Sequence, residues 1–222
     1  MRKRSTGTGR QATVDLVLMT LRGRQLYALA SYAGRGSGVG GDPELPWGHL
    51  GPGESLDAAA RRIARKAWGA PPGWMEQCGA HSGGSHPGGS ALSICYAGVM
   101  PWGDAPRAFT WLTVPAARGL GERQREMASA AVAHLRGRVE DAPVAFQLLP
   151  GLFTLGELQR SYEGLLGRKL HKASFRRALA AAFVVEPQDE VRSGGRGRPA
   201  QLFRFAPHGT RLPRRGVRFD LG

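Results

Sequence analysis

Cysteine, lysine and acid are all scarce in this chain. Only two cysteines, Cys78 and Cys95, occur among 222 residues. That is too few for a disulfide framework and fits a reducing compartment. Lysine stands only at positions 3, 66, 169 and 172. The longest apolar runs, such as Val14 to Leu21 with Asp15 and Thr20 inside it, fall far short of a bilayer span. Met1-Arg2-Lys3-Arg4 looks like the basic start of a leader, but no adequate apolar stretch or cleavage site follows, so no signal peptide is expected. The expectation is a cytoplasmic protein with no membrane partner.

What is abundant is arginine. The chain holds 31 Lys+Arg against 17 Asp+Glu, a formal net charge of +14. Residues 1–149 carry 17 basic and 11 acidic side chains, net +6; residues 150–222 carry 14 and 6, net +8. More than half of the excess therefore sits in the last third. Positive charge concentrated in a small segment points to a polyanion, most often nucleic acid. Guanidinium forks pair bidentately with phosphate and with guanine, which favours the same reading. Hydrophobic residues at 41% place the chain among globular proteins, long enough for one large domain or two small ones.

Residues 1–12 are basic and lack periodicity, and read as an arm. Val14–Met19 and Gln25–Leu29 read as two strands joined near Arg22-Gly23-Arg24. Gly36-x-Gly38-x-x-Gly41 spells a dinucleotide fingerprint, but Asp42-Pro43 stands where a helix should begin, so it reads as a loop. From Ser55 to Ala67, Leu56, Ala59, Ala60, Ile63, Ala64 and Ala67 follow helical spacing, and Gly69 with Pro71-Pro72 stops the helix. Strands are expected near Met75–Cys78, Ala91–Val99 and Phe109–Val114, with a loop at His81–Gly89 and a helix over Glu122–Leu135. Residues 13–140 thus form an α/β domain, a mixed sheet with flanking helices, and Val139–Pro150 is the junction.

Residues 141–206 read as a second unit. Thr154-Leu155-Gly156-Glu157 is a capping box. Leu155, Leu158, Tyr162, Leu165 and Leu166 share one face of the helix that follows, which Gly167 closes. A second helix runs from Lys172 to Phe183. Phe175, Leu179, Ala182 and Phe183 mark its core side, while Ala173, Ser174, Arg177, Ala180 and Ala181 lie opposite, flanked by Arg176. Small residues and arginine without acid are what a helix needs to approach a base-pair edge. Val184–Glu186, the Gly/Arg turn Ser193–Pro199 and Gln201–Phe205 then form a hairpin. Two helices and a basic hairpin describe a winged helix-turn-helix. A small α+β domain with a solvated arginine loop is the plainer alternative. Residues 207–222, with Arg211, Arg214, Arg215 and Arg218, read as a basic tail.

Gly48-x5-Glu54-x7-Arg62 followed by Gly69-Ala70 has the frame of a Nudix box. In that pattern three helix positions at i, i+3 and i+4 carry carboxylates that hold a divalent metal against a diphosphate. Here those positions are Ile63, Lys66 and Ala67. An ammonium where Mg²⁺ would sit repels it. No metal or other cofactor is expected, and hydrolysis is not.

With these features the chain resembles the Nudix-related transcriptional regulators, the NrtR-like family of bacterial repressors. The residues that carry the resemblance are Leu45-Pro46-Trp47-Gly48, Leu148-Leu149-Pro150, Phe153–Gln159, Tyr162-Glu163, Leu166-Gly167-Arg168, Phe175-Arg176-Arg177 and Gly197–Leu202. The resemblance covers residues 12–206 and implies a homodimer on a palindromic operator in double-stranded DNA. It also implies release by a small effector in the Nudix-like pocket, in several members ADP-ribose or a related nucleotide, and targets in NAD metabolism. Two features depart from the family: the helix carboxylates are gone, and Ser85-His86-Pro87-Gly88 stands where Arg-Asp-Pro-Arg is frequent. Both weigh against a pyrophosphate ligand, although Lys66 could itself meet a phosphate.

The sequence reading is therefore a catalytically inactive Nudix-like sensor joined to a winged helix-turn-helix, acting in the cytoplasm on the nucleoid. Ser174 and Arg177 are the candidates for base contact. Lys172, Arg176, Arg196 and Arg198 are candidates for phosphate, and Lys169 and His171 precede the helix as further ones. Glu54, Arg62 and Lys66 are the candidate ligand contacts. A Nudix hydrolase with an accessory nucleic-acid domain is the alternative. RNA binding is disfavoured because no cluster of exposed aromatics suits base stacking. Cys78, His81, His86 and Cys95 have zinc-ligand chemistry at an unusual spacing, and buried thiols with loop histidines are the better reading.

Overall fold

A computed structural model describes residues 12–32, 41–114, 119–182, 184–193, 199–206 and 217. The chain forms β1 (Thr13–Arg22), β2 (Gln25–Tyr32), β3 (Pro43–Glu44), β4 (Trp47–His49), α1 (Leu56–Trp68), β5 (Trp74–Ser82), β6 (Leu92–Val99), β7 (Phe109–Thr113) and α2 (Glu122–Arg138). Then come α3 (Val144–Gln147), β8 (Phe153–Thr154), α4 (Leu155–Leu166), α5 (Lys172–Ala182), β9 (Val185–Arg192) and β10 (Ala200–Phe205). No helix among the described residues is long and apolar enough to cross a membrane.

The larger sheet runs β3-β2-β1-β6-β5, with β4 against β1 and β7 against β2. β1 and β6 are parallel and the other pairs antiparallel. The central strand β1 is buried along its whole length except Arg22, because helices cover both faces of the sheet. Its side chains alternate. Val14, Leu16 and Leu18 join the core under α1, whereas Val17, Met19 and Leu21 join the core under α2. That two-sided burial is why Val14–Leu21 reads as a near-continuous apolar run. α1 starts at Ser55, whose side chain accepts the Ala58 N–H, and ends at Gly69 in the left-handed conformation at φ 91°.

The smaller sheet has the order β8-β10-β9. Thr154 and Glu157 form the expected capping box at the start of α4, and Gly167 at φ 71° ends it. The sequence expectation of a junction at 139–150 meets a packed connector: Val139, Ala142, Val144, Ala145, Phe146 and Leu148 are buried. They belong to one core that also holds Met127, Ala131 and Leu135 of α2 and Leu158, Tyr162 and Leu165 of α4. Val217 is buried in the same core. The two units are therefore joined by side-chain packing as well as by the chain. Arg136 of α2 donates from Nε to the Leu165 carbonyl at 3.0 Å. Leu21 packs so closely on Gly164 that a Cβ there would meet its methyls at 2.7 and 2.9 Å. A side chain at position 164, in the last turn of α4, would force those methyls to move.

Candidate nucleic-acid interface

The α4–turn–α5 unit is built from the inside outward. Tyr162, Leu158 and Leu165 bury one face of α4, and Phe175 and Leu179 bury one face of α5. The Tyr162 and Phe175 rings meet edge to face at 5.8 Å. These anchors leave Lys172, Ala173, Ser174, Arg176, Arg177, Ala180 and Ala181 exposed, as the helical spacing predicts. Phe183, expected at the end of the core side, lies outside the described residues. Lys169 and His171, in the turn, are also exposed. Among the described residues no carboxylate forms an ion pair with Lys169, Lys172, Arg176 or Arg177. Four exposed cations on the turn and α5, with no ion-paired acid among the described residues, make a surface suited to a polyanion. Ser174 is less free, since its hydroxyl lies 3.5 Å from His171 Nδ1.

The turn that aims α5 is held by a residue that sequence reasoning did not single out for this role. Glu163 is 8% exposed. Its Oε1 accepts the Leu170 N–H at 3.0 Å and the Gln159 amide at 3.2 Å, and Gln159 also donates to the Leu170 carbonyl at 3.0 Å. Its Oε2 faces Arg24 Nε of the β1–β2 turn at 3.7 Å. The available signal was an acid at a position where α4 turns its inner side to the core. Glu163 thus ties the helix-turn-helix turn to the first hairpin.

β9 and β10 pair antiparallel, and β8 adds a third strand. Arg196 and Arg198, the expected wing-tip cations, lie outside the described residues. Two nearby arginines are already engaged: Arg192 with Glu157 at 2.7 Å and Arg204 with Glu186 at 2.6 Å.

The residues of the Nudix-like frame also come together, though not as a metal site. Arg62 donates from Nε to Glu54 Oε1 at 2.8 Å and from Nη2 to Glu54 Oε2 at 2.7 Å and the His49 carbonyl at 3.0 Å. Gly51 N–H donates to Glu54 Oε2 at 2.9 Å. These bonds, first of all those from Arg62, pull the Glu54 carboxyl down to a pKa of about 2. Glu54 is thereby committed to bracing the β4–α1 loop. Ile63 and Ala67 are buried in the α1 core, and Lys66 is exposed. The side chains present do not fit a divalent metal: two of the three positions point into hydrocarbon and the third is a cation.

The four residues with zinc-ligand chemistry do not gather into one metal-binding group among the described residues. His81 belongs to β5 rather than to the expected loop. His86 is buried with its Nδ1 accepting the Gly88 N–H at 3.0 Å, which leaves Nε2 to donate to buried Asp15 at 2.8 Å. Trp47 covers the pair, its ring centroid 5.1 Å from that of His86. Asp15 thus takes a structural partner 71 residues away. Cys78 and Cys95 lie together across β5 and β6, their sulfurs 3.3 Å apart.

Comparison with known proteins agrees with this architecture. Residues 145–205 match the family model described as the NrtR DNA-binding winged helix domain. An ADPR responsive transcriptional repressor, NtrR, of Acinetobacter baylyi is 39% identical over 98 residues, which cover 43% of this chain. The match spans 39% of that curated relative's own length. The crystal structure of Shewanella oneidensis NrtR superposes with a TM-score of 0.75 at 25% identity, covering 89% of this chain and 94% of that one. The same protein complexed with a 27mer DNA gives 0.72 at 26% identity, covering 88% and 94%. A MutT/nudix family protein from Enterococcus faecalis shares the fold at a TM-score of 0.61 and 19% identity, over 88% of this chain and 86% of that one. The chain resembles the NrtR regulators: it has a Nudix-like domain with a mixed sheet and flanking helices, followed by a winged helix of NrtR type.

Proposed function

We propose that this protein is a dimeric DNA-binding transcriptional regulator, a repressor, whose winged helix reads a palindromic operator and whose Nudix-like domain senses an effector without hydrolysing it. The observation that carries the proposal is the exposed face of α5. It presents Lys172, Arg176 and Arg177 among small side chains, with no ion-paired acid among the described residues, inside the segment that matches a DNA-binding winged helix. α5 enters the major groove, with Ser174 and Arg177 at base edges and Lys172, Arg176 and Lys169 at phosphates. Arg196 and Arg198 extend the contact from the wing. A two-fold dimer sets its half-sites about one helical turn apart.

The effector reading is supported by the name of the Acinetobacter relative, an ADPR responsive repressor. We take an ADP-ribose-like nucleotide or a sugar to be the effector class, with Lys66 available for a phosphate and the Glu54–Arg62 pair shaping the loop beside it. Hydrolysis is not part of the proposal, because Ile63, Lys66 and Ala67 replace a metal-holding carboxylate set.

Mobility-shift titration on genomic fragments recovered by footprinting tests the placement. Arg177→Ala is expected to cost about 1–3 kcal/mol on the cognate site and to relax specificity. Wild-type affinity in that variant would refute the groove assignment. Incubation with ADP-ribose and Mg²⁺ should give no turnover above background. Robust metal-dependent turnover would instead make the protein a hydrolase with an accessory domain.

A further inference from the structure

We propose that Cys78 and Cys95 form a thiol oxidation site: Cys78 is attacked by a hydroperoxide, and Cys95 resolves it to an intramolecular disulfide. The site rests on the way β5 meets β6. Between Gln77 and Gly79 the register slips, so that Gly79, not Cys78, faces Cys95 in the ladder. The slip brings the Cys78 sulfur to 3.3 Å from that of Cys95 and 3.4 Å from the Cys95 carbonyl. A disulfide needs about 2.05 Å between sulfurs, so a small local adjustment in an already irregular stretch closes the bond.

The two thiols are unequal, which assigns their roles. Cys78 is partly exposed and Cys95 is buried, so an oxidant in solution meets Cys78 first. The Cys78 S–H donates to the Cys95 sulfur and carbonyl; once Cys78 loses its proton, the Cys95 S–H can turn onto the thiolate, and this pairing lowers the Cys78 pKa against the burial cost. Cys95 is pushed up by its hydrogen bond with Cys78, by burial and by the charges of Cys78 and Asp15, so it stays a thiol while Cys78 is the thiolate; conversion of Cys78 to a sulfenic acid removes that neighbouring charge, and Cys95 gives up its proton as it attacks. In the first step the Cys78 thiolate attacks the peroxide. An S–O bond forms, the O–O bond breaks and the alcohol or water leaves, which oxidises the sulfur to a sulfenic acid. In the second step Cys95 attacks that sulfur. The S–S bond forms, the S–O bond breaks, and the Cys95 proton leaves with the hydroxide as water. The net reaction consumes two thiols and one hydroperoxide and yields a disulfide, an alcohol and water. The chain has no third cysteine to compete.

The test uses the full-length protein, hydrogen peroxide and intact-mass analysis after denaturing alkylation. The expected result is a monomer that has lost two hydrogens and resists alkylation until dithiothreitol is added. Cys95→Ser should stop at a Cys78 sulfenic acid that a dimedone probe traps. Cys78→Ser, at the more exposed position, should leave Cys95 reduced at the same peroxide dose. Circular dichroism of each variant confirms folding, and Cys95→Ala replaces Cys95→Ser if the serine disrupts the core. Two alkylatable thiols after peroxide, a disulfide-linked dimer, or oxidation of Cys95 in Cys78→Ser at the wild-type rate would each overturn the proposal.

Discussion

Removing the Glu163 carboxylate should loosen the turn that aims α5, and the structure sets the size of the effect. Glu163→Ala takes away the acceptor of the Leu170 N–H and of the Gln159 amide. Hydrogen bonds to a charged group contribute about 1.5–3 kcal/mol each when buried, and the low end applies to a partly wetted turn. The Arg24 contact adds little, since it is 3.7 Å long and the arginine side chain is 41% exposed; about 0.5 kcal/mol is generous for it. The expected total is about 3–3.5 kcal/mol, or a fall in melting temperature of about 6–14 °C for a chain of this length. Glu163→Gln keeps an oxygen for the Leu170 N–H and should lose about 1 kcal/mol. Arg24→Ala should lose about 0.5 kcal/mol or less. Urea titration with operator binding measured in parallel checks all three. The reasoning fails if Arg24→Ala costs as much as Glu163→Ala, or if the glutamine variant is no milder than alanine.

Other outcomes follow from the same geometry. Glu54 has a folded pKa depressed to about 2 from 4.5, so its contribution to stability is complete above about pH 4.5 and drains away as the pH falls toward 2. Urea midpoints across that window should flatten in Glu54→Gln relative to wild type. Thr154→Ala removes the hydroxyl that caps α4 and should cost about 1 kcal/mol, whereas Thr154→Ser should restore most of it; thermal melts separate the two. Arg198→Ala should weaken all duplexes alike and reduce the slope of log affinity against log salt by about 1, as loss of a single phosphate contact requires. An unchanged slope would remove Arg198 from the backbone contacts.

The parts of the fold that were legible are those whose signals are local. Ser55 and Gly69 bracket α1, the Thr154–Glu157 box opens α4, and the 100° spacing of Phe175 and Leu179 tells the inside of α5 from the outside. What could not be read depends on distant partners. β4 is three residues long and exists because Trp47 to His49 lie against β1. β8 is a two-residue strand that becomes recognisable only when β10 arrives beside it. Asp15 looks like a blemish in an apolar strand until His86 closes on it. Glu54 and Arg62 fell in a recognised frame, yet their engagement with one another depends on the loop's path. The α5 face was foreseen because exposure there follows from what is anchored opposite, a matter of helical geometry alone.

The shared interior has a bearing on how a signal would travel. α2 packs into one core with the sheet and with α4, through Met127, Leu135, Tyr162 and Leu165, and Arg136 fastens it to the carbonyl near the end of α4. Severing the molecule near residue 140 would therefore strip hydrocarbon from both fragments, so neither half alone is a fair proxy for the whole. A tilt of α2 by an ångström has no soft linker in which to dissipate. It would pass through α4 to the turn that Glu163 holds, and so change the angle at which α5 stands.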